Sequence, residues 1–178
     1  DFLIQKEVGI YKGWIGYSWS QSLHSFPNID NGAFYPSLQD QPHEIKFVNM
    51  LRRGKWDLSS SWVYGSGRPF PEYKITYFQD ANGNVEDFVV TKDVRNYTRL
   101  PAYHRLDIAA AYNFSIGKMF GQVGLSIFNV YGRENIKTRK LSIPFLERTL
   151  QTPNQPLPEY RDLVLISFTP SVFLNVGF

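Results

Sequence analysis

The C-terminal segment LVLISFTPSVFLNVGF, residues 163–178, alternates between apolar residues and mostly small or polar ones. Every second residue counted back from the end is apolar: Phe178, Val176, Leu174, Val172, Pro170, Phe168, Ile166 and Val164. A period of two is that of a β-strand, because successive side chains point to opposite faces of a sheet. Strands usually run about 5 to 6 residues, so the segment predicts an unusually long strand with one apolar face.

Similar patterns recur along the chain and predict an all-β fold. Seven strands are predicted, at residues 1–6, 11–20, 43–52, 55–66, 103–115, 119–130 and 162–178. Tight, glycine-containing turns near Gly9, Gly54 and Gly117 separate three pairs of strands. The other three gaps are long and hold ten of the eleven prolines. Short and long connections alternate, so all short turns lie at one end of the predicted sheet and all long loops at the other.

The first hairpin can be tested for a consistent division between its faces. A two-residue turn at Arg53 and Gly54 predicts that Leu51 pairs with Trp56 and Ile45 with Trp62. One face is then mostly apolar and holds both tryptophans. The opposite face takes the charged residues Glu44, Lys46 and Asp57.

The second hairpin gives the same division. A turn at Gly117 and Lys118 predicts that Tyr112 pairs with Val123, Ala110 with Leu125 and Ile108 with Ile127 on the apolar face. The other face takes Arg105, Asp107, Asn113 and Gln122. Together with Lys46 and Asp57, these four are the residues predicted to line a polar lumen, since a membrane barrel is apolar outside and polar inside.

Aromatic residues cluster at both ends of the apolar face. Trp56, Tyr112 and Phe178 lie near the short turns, and Tyr17, Trp19, Trp62 and Tyr64 lie near the long loops. Two such belts are typical of membrane interfaces, although aromatic residues favour strands in any sheet. The longest aliphatic run, Leu163–Ile166, is far too short for a transmembrane helix. A membrane interpretation therefore has to be a β one.

Charge and cysteine content limit the other classes of function. The net charge is only +3 with basic residues scattered along the chain, which gives little support to a nucleic-acid partner. The absence of cysteine excludes disulfides and thiolate metal sites. No cofactor is predicted.

Six segments, in this order, resemble the C-terminal barrel strands of TonB-dependent outer-membrane receptors, most closely the Bacteroidetes-type members with a carboxypeptidase-like N-terminal domain. They are Gly13–Phe26, Ile29–Ile45, Gly54–Tyr73, Leu100–Phe114, Val123–Ile136 and Phe168–Phe178. The resemblance covers essentially all of residues 1–178. It implies a 22-stranded barrel occluded by a plug domain that this chain does not contain.

The resemblance also implies a function and partners. It implies active import of a scarce siderophore, oligosaccharide or peptide across the bacterial outer membrane, with energy from the TonB-ExbB-ExbD complex and, in some members, a surface lipoprotein. The C-terminus would be periplasmic. The final strand resembles the signal read by the barrel-assembly machinery, carried here by Val172, Leu174, Val176 and Phe178.

Seven strands are an odd number and too few to close a bacterial barrel. We therefore expect the chain to be the last third of a longer polypeptide or a piece that completes a barrel with another chain. Pro170 cannot donate to a sheet ladder. A local ladder defect is expected there.

Candidate chemistry is sparse. Asp40, His43 and Glu44 include metal-ligand types, but adjacent strand residues point to opposite faces, so no metal site is predicted. No G-x-S-x-G motif is present and no enzyme is predicted. Ligand contacts are expected from the long loops, where tyrosine and arginine suit stacking and hydrogen bonding. The candidates are Arg68, Tyr73, Tyr77, Arg95, Tyr97, Arg99 and Arg133.

Two alternative functions are open. One is a non-transporting outer-membrane barrel, such as an adhesin or assembly component, which an upstream plug domain would argue against. The other is a soluble all-β binding module, which would keep a charged surface in water and need no detergent.

Overall fold

The computed structural model describes residues 1–83, 85–93, 95, 98–142 and 158–177. Within these ranges there are thirteen strands, one short 3₁₀ helix at Asp30–Gly32 and no α-helix. The strands are β1 (Phe2–Lys6), β2 (Tyr11–Trp19), β3 (Leu23–His24), β4 (Tyr35–Pro36), β5 (His43–Arg53), β6 (Trp56–Gly65), β7 (Glu72–Gln79), β8 (Val85–Asp93), β9 (Tyr103–Ile116), β10 (Met119–Phe128), β11 (Ile136–Ser142), β12 (Glu159–Val164) and β13 (Thr169–Gly177). A search of the described residues for a helix able to cross a membrane found none.

Seven strands form one antiparallel sheet in the order β1-β2-β5-β6-β9-β10-β13. The all-β prediction and the predicted number of main strands are confirmed. Neighbouring strands lie about 4.8 Å apart, so the sheet is about 29 Å wide. In the described part of the chain β1 and β13 each pair with a single neighbour, and the sheet is open at both edges.

The β9–β10 register is confirmed residue by residue, with Ala110 opposite Leu125 and Asn113 opposite Gln122. The β5–β6 register differs from the prediction, because the turn lies one residue later and Leu51 faces Leu58 instead of Trp56. Gly54 adopts φ 58°, a conformation that glycine tolerates and that a tight hairpin turn requires. Moving a two-residue turn by one position shifts each partner by two, so the predicted faces are unchanged.

The predicted strand over residues 162–178 is wrong in its first half. Residues 162–164 belong to β12, which pairs with β11 away from the main sheet. A bidentate contact between Arg139 and Asp162, with N–O distances of 2.6 and 2.7 Å, joins these two strands. The backbone N–H of Leu165 then donates to the carbonyl of Asn135. The chain therefore changes direction before Thr169, where β13 enters the sheet.

The ladder defect expected at Pro170 is not present. Pro170 faces Ile127 in an uninterrupted β10–β13 register. The reason is position: β13 is an edge strand of the described sheet, and proline is tolerated on edge strands because a missing donor on the outer side breaks no ladder bond.

The long connections contain strands that the sequence pattern did not predict. β7 pairs with β8, β11 with β12, and the two-residue strands β3 and β4 with each other. These hairpins lie outside the main sheet. The β7 sequence EYKITYFQ alternates Tyr73, Ile75 and Tyr77 with Glu72, Lys74 and Thr76, and it contains the β-branched and aromatic residues that favour strands. The signal for this strand was therefore present in the sequence and was missed.

The main sheet has one apolar and one polar face. Directly paired residues share a face, so the registers assign every strand. The apolar face includes Phe2, Ile4, Ile15, Tyr17, Ile45, Phe47, Leu58, Trp62, Leu106, Ile108, Val123, Leu125, Val172 and Leu174. The polar face includes Gln5, Lys12, Lys46, Asp57, Arg105, Asp107, Asn113, Gln122 and Asn175. The two faces predicted from separate hairpins therefore extend across all seven strands.

No second layer of described residues covers the apolar face. Even on the interior strands β6 and β10, Leu58 is 42 % exposed and Leu125 is 46 % exposed. The buried apolar side chains of the described chain are Tyr35, Phe70, Leu100 and Ala111, and the first three lie in the long connections. The packed core is thus at the long-loop end, and the sheet is a single layer.

Close backbone approach at β2 gives a testable prediction. A Cβ at Gly13 would lie 2.6 Å from the Val48 carbonyl oxygen, whereas one at Gly16 would first meet the movable Trp14 ring at 3.2 Å. We expect Gly13→Ala to lower the free energy of unfolding by about 1 to 3 kcal/mol. Gly16→Ala is the matched control on the same strand and should cost less. Urea unfolding followed by tryptophan fluorescence measures both, and equal costs would contradict the register.

Candidate functional site

A buried ion pair joins two of the long connections. Asp40 is 2 % exposed and forms an ion pair with Arg99. The Asp40 carboxylate also accepts the backbone N–H of Ser22 at 2.7 Å, and Arg99 donates to the Gly67 carbonyl at 3.0 Å. We call these four residues the loop junction. Because its members come from residues 20–42 and 66–102, it fixes the two connections against each other.

The environment of Asp40 acts on its pKa in two directions. Burial raises the pKa, because it disfavours the charged form. Hydrogen bonds from the Arg99 guanidinium and the Ser22 backbone lower it, and the net pKa lies below the ordinary value of 3.8. Asp40 is therefore ionised at neutral pH, and the loop junction is intact there.

A second set of contacts attaches the third long connection. The Tyr160 hydroxyl accepts the backbone N–H of Tyr73 at 2.8 Å and donates to the Tyr73 carbonyl at 3.2 Å. The Phe70 ring contacts the Tyr160 ring edge-on at 6.1 Å, and the Arg139 guanidinium lies 5.3 Å from the Phe70 centroid. The β11–β12 hairpin thus packs on the connection that contains β7 and β8.

A buried asparagine shapes the start of the third connection. Asn129 is fully buried and adopts φ 53°, a left-handed conformation that asparagine tolerates better than most residues. Its backbone N–H donates to the Asp107 carboxylate at 2.9 Å, and its side-chain amide donates to the Arg133 carbonyl at 2.8 Å. The sequence reasoning missed this residue, for which the only signal was the NVYG turn composition.

The short-turn end of the polar face carries a hydrogen-bonded cluster. Asp57 contacts Arg52 at 2.6 Å and accepts from Asn113 at 2.7 Å and from Gln122 at 3.3 Å. Gln122 also donates to the Asn113 amide oxygen at 3.1 Å. Three predicted lumenal residues are therefore brought together, and Arg52 joins them. The cluster links β5, β6, β9 and β10 across one face.

The other predicted lumenal residues form separate pairs. Lys46 contacts Glu44 at 2.6 Å. Arg105 forms an ion pair with Asp107 at 2.9 Å, and its guanidinium lies 3.9 Å from the Phe128 ring centroid. All of them lie on the polar face. Whether that face lines a lumen remains a prediction.

The predicted ligand-binding residues fall into two groups. Near the sheet, Arg99 belongs to the loop junction, Arg68 donates to the Gln41 side chain at 2.9 Å, and Arg133 donates to the Ala102 carbonyl at 3.1 Å. On or beside the β7–β8 hairpin lie Tyr73, Tyr77 and Arg95. Arg95 pairs with Asp93 at 2.9 Å. Tyr97 lies outside the described residues, and ligand binding by any of these side chains stays a prediction.

Three of the four residues predicted to form the barrel-assembly signal lie on β13. Val172, Leu174 and Val176 share the apolar face of β13, and Phe178 lies outside the described residues. Gly177 faces Phe120, so β13 ends at the short-turn end of the sheet.

The residues considered as metal ligands do not converge. His43 lies on the apolar face opposite Trp19, Glu44 lies on the polar face opposite Ser18, and Asp40 is held in the loop junction. In the described part of the chain, no group of three or more His, Cys, Asp or Glu residues is placed to hold a metal ion.

Polar aromatic pairs mark the long-loop end of the apolar face. Tyr17 donates to or accepts from His43 Nδ1 at 2.9 Å, and the Trp62 and Tyr64 rings stack at 6.1 Å. At the other end, the Trp56 and Tyr112 rings meet at 5.0 Å. Trp62 lies six positions after Trp56 on β6, which is about 20 Å along the strand. The two aromatic groups therefore lie at opposite ends of the apolar face.

Comparisons of the chain with protein-family models, curated proteins and solved structures found no match.

The loop junction predicts a specific pH dependence. The ionised form of Asp40 stabilises the fold above pH 3.8, and this contribution is lost as pH falls through the lowered pKa. We expect Asp40→Asn to cost about 3 kcal/mol at pH 6, and the difference from wild type to vanish in strong acid. Unfolding curves from pH 2 to pH 7 measure it.

The control is Glu134→Gln, because Glu134 is exposed and forms no ion pair with the described residues. Its difference from wild type should stay near zero at every pH. An Asp40→Asn effect that is the same at pH 2 and pH 6 would contradict the charged junction.

Proposed function

We propose that this chain forms strands and extracellular loops of an outer-membrane TonB-dependent transporter that imports a scarce ligand. The observation that carries the membrane part is the exposed, mostly apolar face, which extends over seven antiparallel strands and contains a polar patch of Lys6, Asn49 and Ser60. Large contiguous apolar surfaces are rare on soluble monomers. Lipid would cover this face, and a soluble module would leave it in water.

The two ends of the sheet support the orientation. Bacterial barrels have short periplasmic turns and long extracellular loops, and the three tight turns here lie at the end where β13 stops. We therefore assign the short-turn end to the periplasm. The aromatic groups at both ends of the apolar band suit the two membrane interfaces.

The open edges of the sheet support incorporation into a larger barrel. Unpaired backbone groups cannot remain in lipid, because each costs several kcal/mol. β1 and β13 would thus pair with further strands of the same or another polypeptide. The polar face would then line the lumen, where the Asp57 cluster would meet water or a plug domain.

The transport part rests on the resemblance of six segments to TonB-dependent receptors. On this resemblance we propose four partners: a plug domain, the TonB-ExbB-ExbD complex, the barrel-assembly machinery and a surface lipoprotein. The ligand would be a siderophore, oligosaccharide or peptide. The packed connections at the long-loop end would form the surface that first meets it.

Adjacent substitutions on β10 test the membrane assignment. Leu125 lies on the apolar face and Ser126 on the polar face. We expect Leu125→Arg to cost about 2 to 4 kcal/mol near the bilayer midplane, and Ser126→Arg to be tolerated. Folding into lipid vesicles at graded urea concentrations measures both. A larger cost for Ser126→Arg than for Leu125→Arg would mean that the opposite face contacts lipid. A protein that remains soluble in aqueous buffer without detergent would contradict the barrel proposal.

Depletion of the growth medium tests energised import. Mass spectrometry of spent medium should show compounds that wild-type cells consume and that a strain lacking this protein leaves behind. A protonophore should abolish the difference, because energy from TonB depends on the proton gradient. Identical depletion by both strains under several nutrient limitations would favour a non-transporting barrel.

A further inference from the structure

A cleft of about 260 Å³ opens where the polar face of the sheet meets the long connections. Glu44, Gly65 and Tyr103 contribute from strand ends on the polar face, and Leu100 and Leu165 contribute from two different connections. Leu100 is buried at 7 % exposure. The cleft is therefore formed by the packing of loops on strand ends rather than by one mobile loop.

The wall of the cleft is partly apolar. Leu100, Leu165 and Val63 supply aliphatic surface, and Tyr103 adds an aromatic ring. Such a surface favours a hydrocarbon or ring portion of a ligand, since binding sites are mostly apolar with a few placed polar groups.

The charges in the cleft are unbalanced. Arg68 and Lys137 both line it. Arg68 uses its Nε to contact the neutral Gln41 side chain, and neither cation forms an ion pair with the described residues. The carboxylate of the cleft, Glu44, is held by Lys46 at 2.6 Å. Within the described part of the chain, Arg68 and Lys137 thus have no paired carboxylate.

We propose that this cleft binds the carboxylate or phosphate of a small soluble ligand, with its apolar or ring portion against Leu100, Leu165 and Tyr103. The free N–H groups of Arg68 would contact the two oxygens of the anion, a geometry that guanidinium favours. Lys137 would supply a second charge from the β11–β12 hairpin. The proposal deepens the proposed import function and rests on it for the role of the ligand as cargo.

The volume limits what the cleft holds. It is slightly below the range of about 300 to 1,000 Å³ that is usual for whole small-molecule sites. One acidic sugar residue or one terminal amino acid fits this size, and the remainder of a larger ligand would extend along the loops. Neutral oligosaccharides would lack the group that the two cations attract.

Calorimetry on the intact, detergent-solubilised protein tests the proposal with a matched pair of probes. N-acetylphenylalanine carries a ring and a carboxylate, and its amide has the same shape without the charge. We expect the acid to bind at least tenfold more tightly than the amide, and phenyl phosphate to compete with it. The proposal would be overturned if N-acetylphenylalanine and its amide bound equally tightly, or if neither N-acetylphenylalanine nor phenyl phosphate bound.

Single substitutions identify the site. Arg68→Gln and Lys137→Gln should each weaken binding of the acid about tenfold, the loss of one charge-assisted contact. Glu44→Gln should strengthen binding, because it removes the negative charge of the cleft. Lys140→Gln, on the same hairpin but outside the cleft, is the matched control. If Lys140→Gln weakened binding as much as Lys137→Gln, the cleft assignment would be wrong.

Two further arms separate the alternatives. Arg68→Lys retains the charge but loses the two-oxygen contact, so it should recover part of the affinity that Arg68→Gln loses, which shows that the loss in Arg68→Gln is not unfolding. Displacement of the acid by lipid A would assign the cleft to membrane phosphate and overturn the soluble-ligand proposal. Binding without any uptake would reject transport alone, and uptake with no acid binding would reject the cleft alone.

Discussion

Cross-strand pairing is the interaction on which the rest of the molecule depends. The main sheet is a single layer, so a side chain on β6 or β9 gains its neighbours from the adjacent strands rather than from a second sheet. Ordinary domains pack two or more layers around a core. Here the ladder instead sorts the residues onto two faces of opposite chemistry. A slip of one residue in any pair would move apolar groups into the polar face.

The stabilising interactions are divided between the two ends of the sheet. At the short-turn end, Asp57 collects Arg52, Asn113 and Gln122 from neighbouring strands. At the long-loop end, Tyr35, Asp40 and Leu100 are buried within the long connections. The sheet itself contributes few buried side chains. Its stability would therefore depend on what covers its faces and edges.

The strands of the main sheet could be predicted from sequence because their alternation is regular. Both hairpins obeyed the period of two, and an error of one residue at the Gly54 turn left the faces correct. Residues 162–168 obeyed the same period, yet the chain leaves the sheet there. The Arg139–Asp162 contact and the bond from Leu165 to Asn135 connect residues distant in sequence. Alternation shows only that a segment could form a strand with one apolar face. Tertiary contacts decide whether that strand pairs with the main sheet.

The roles of individual charged residues were harder to predict from sequence than the strands were. Arg68 and Arg99 lie in the same connection and look alike in sequence. In the structure, Arg99 neutralises a buried carboxylate, and Arg68 faces an open cleft. The difference depends on Asp40 and Lys137, which come from two other connections. A local sequence pattern cannot show that three distant segments come into contact.

The interlocking of the long connections has a consequence for recognition by large molecules. The contacts of Asp40 with Arg99 and of Tyr73 with Tyr160 join three separated parts of the sequence at the long-loop end, so its outer surface combines residues from all three. An antibody or bacteriophage that binds this surface would recognise a discontinuous epitope. A synthetic peptide copied from a single connection would lack the partners that hold its shape, and it would be a poor mimic of the folded protein.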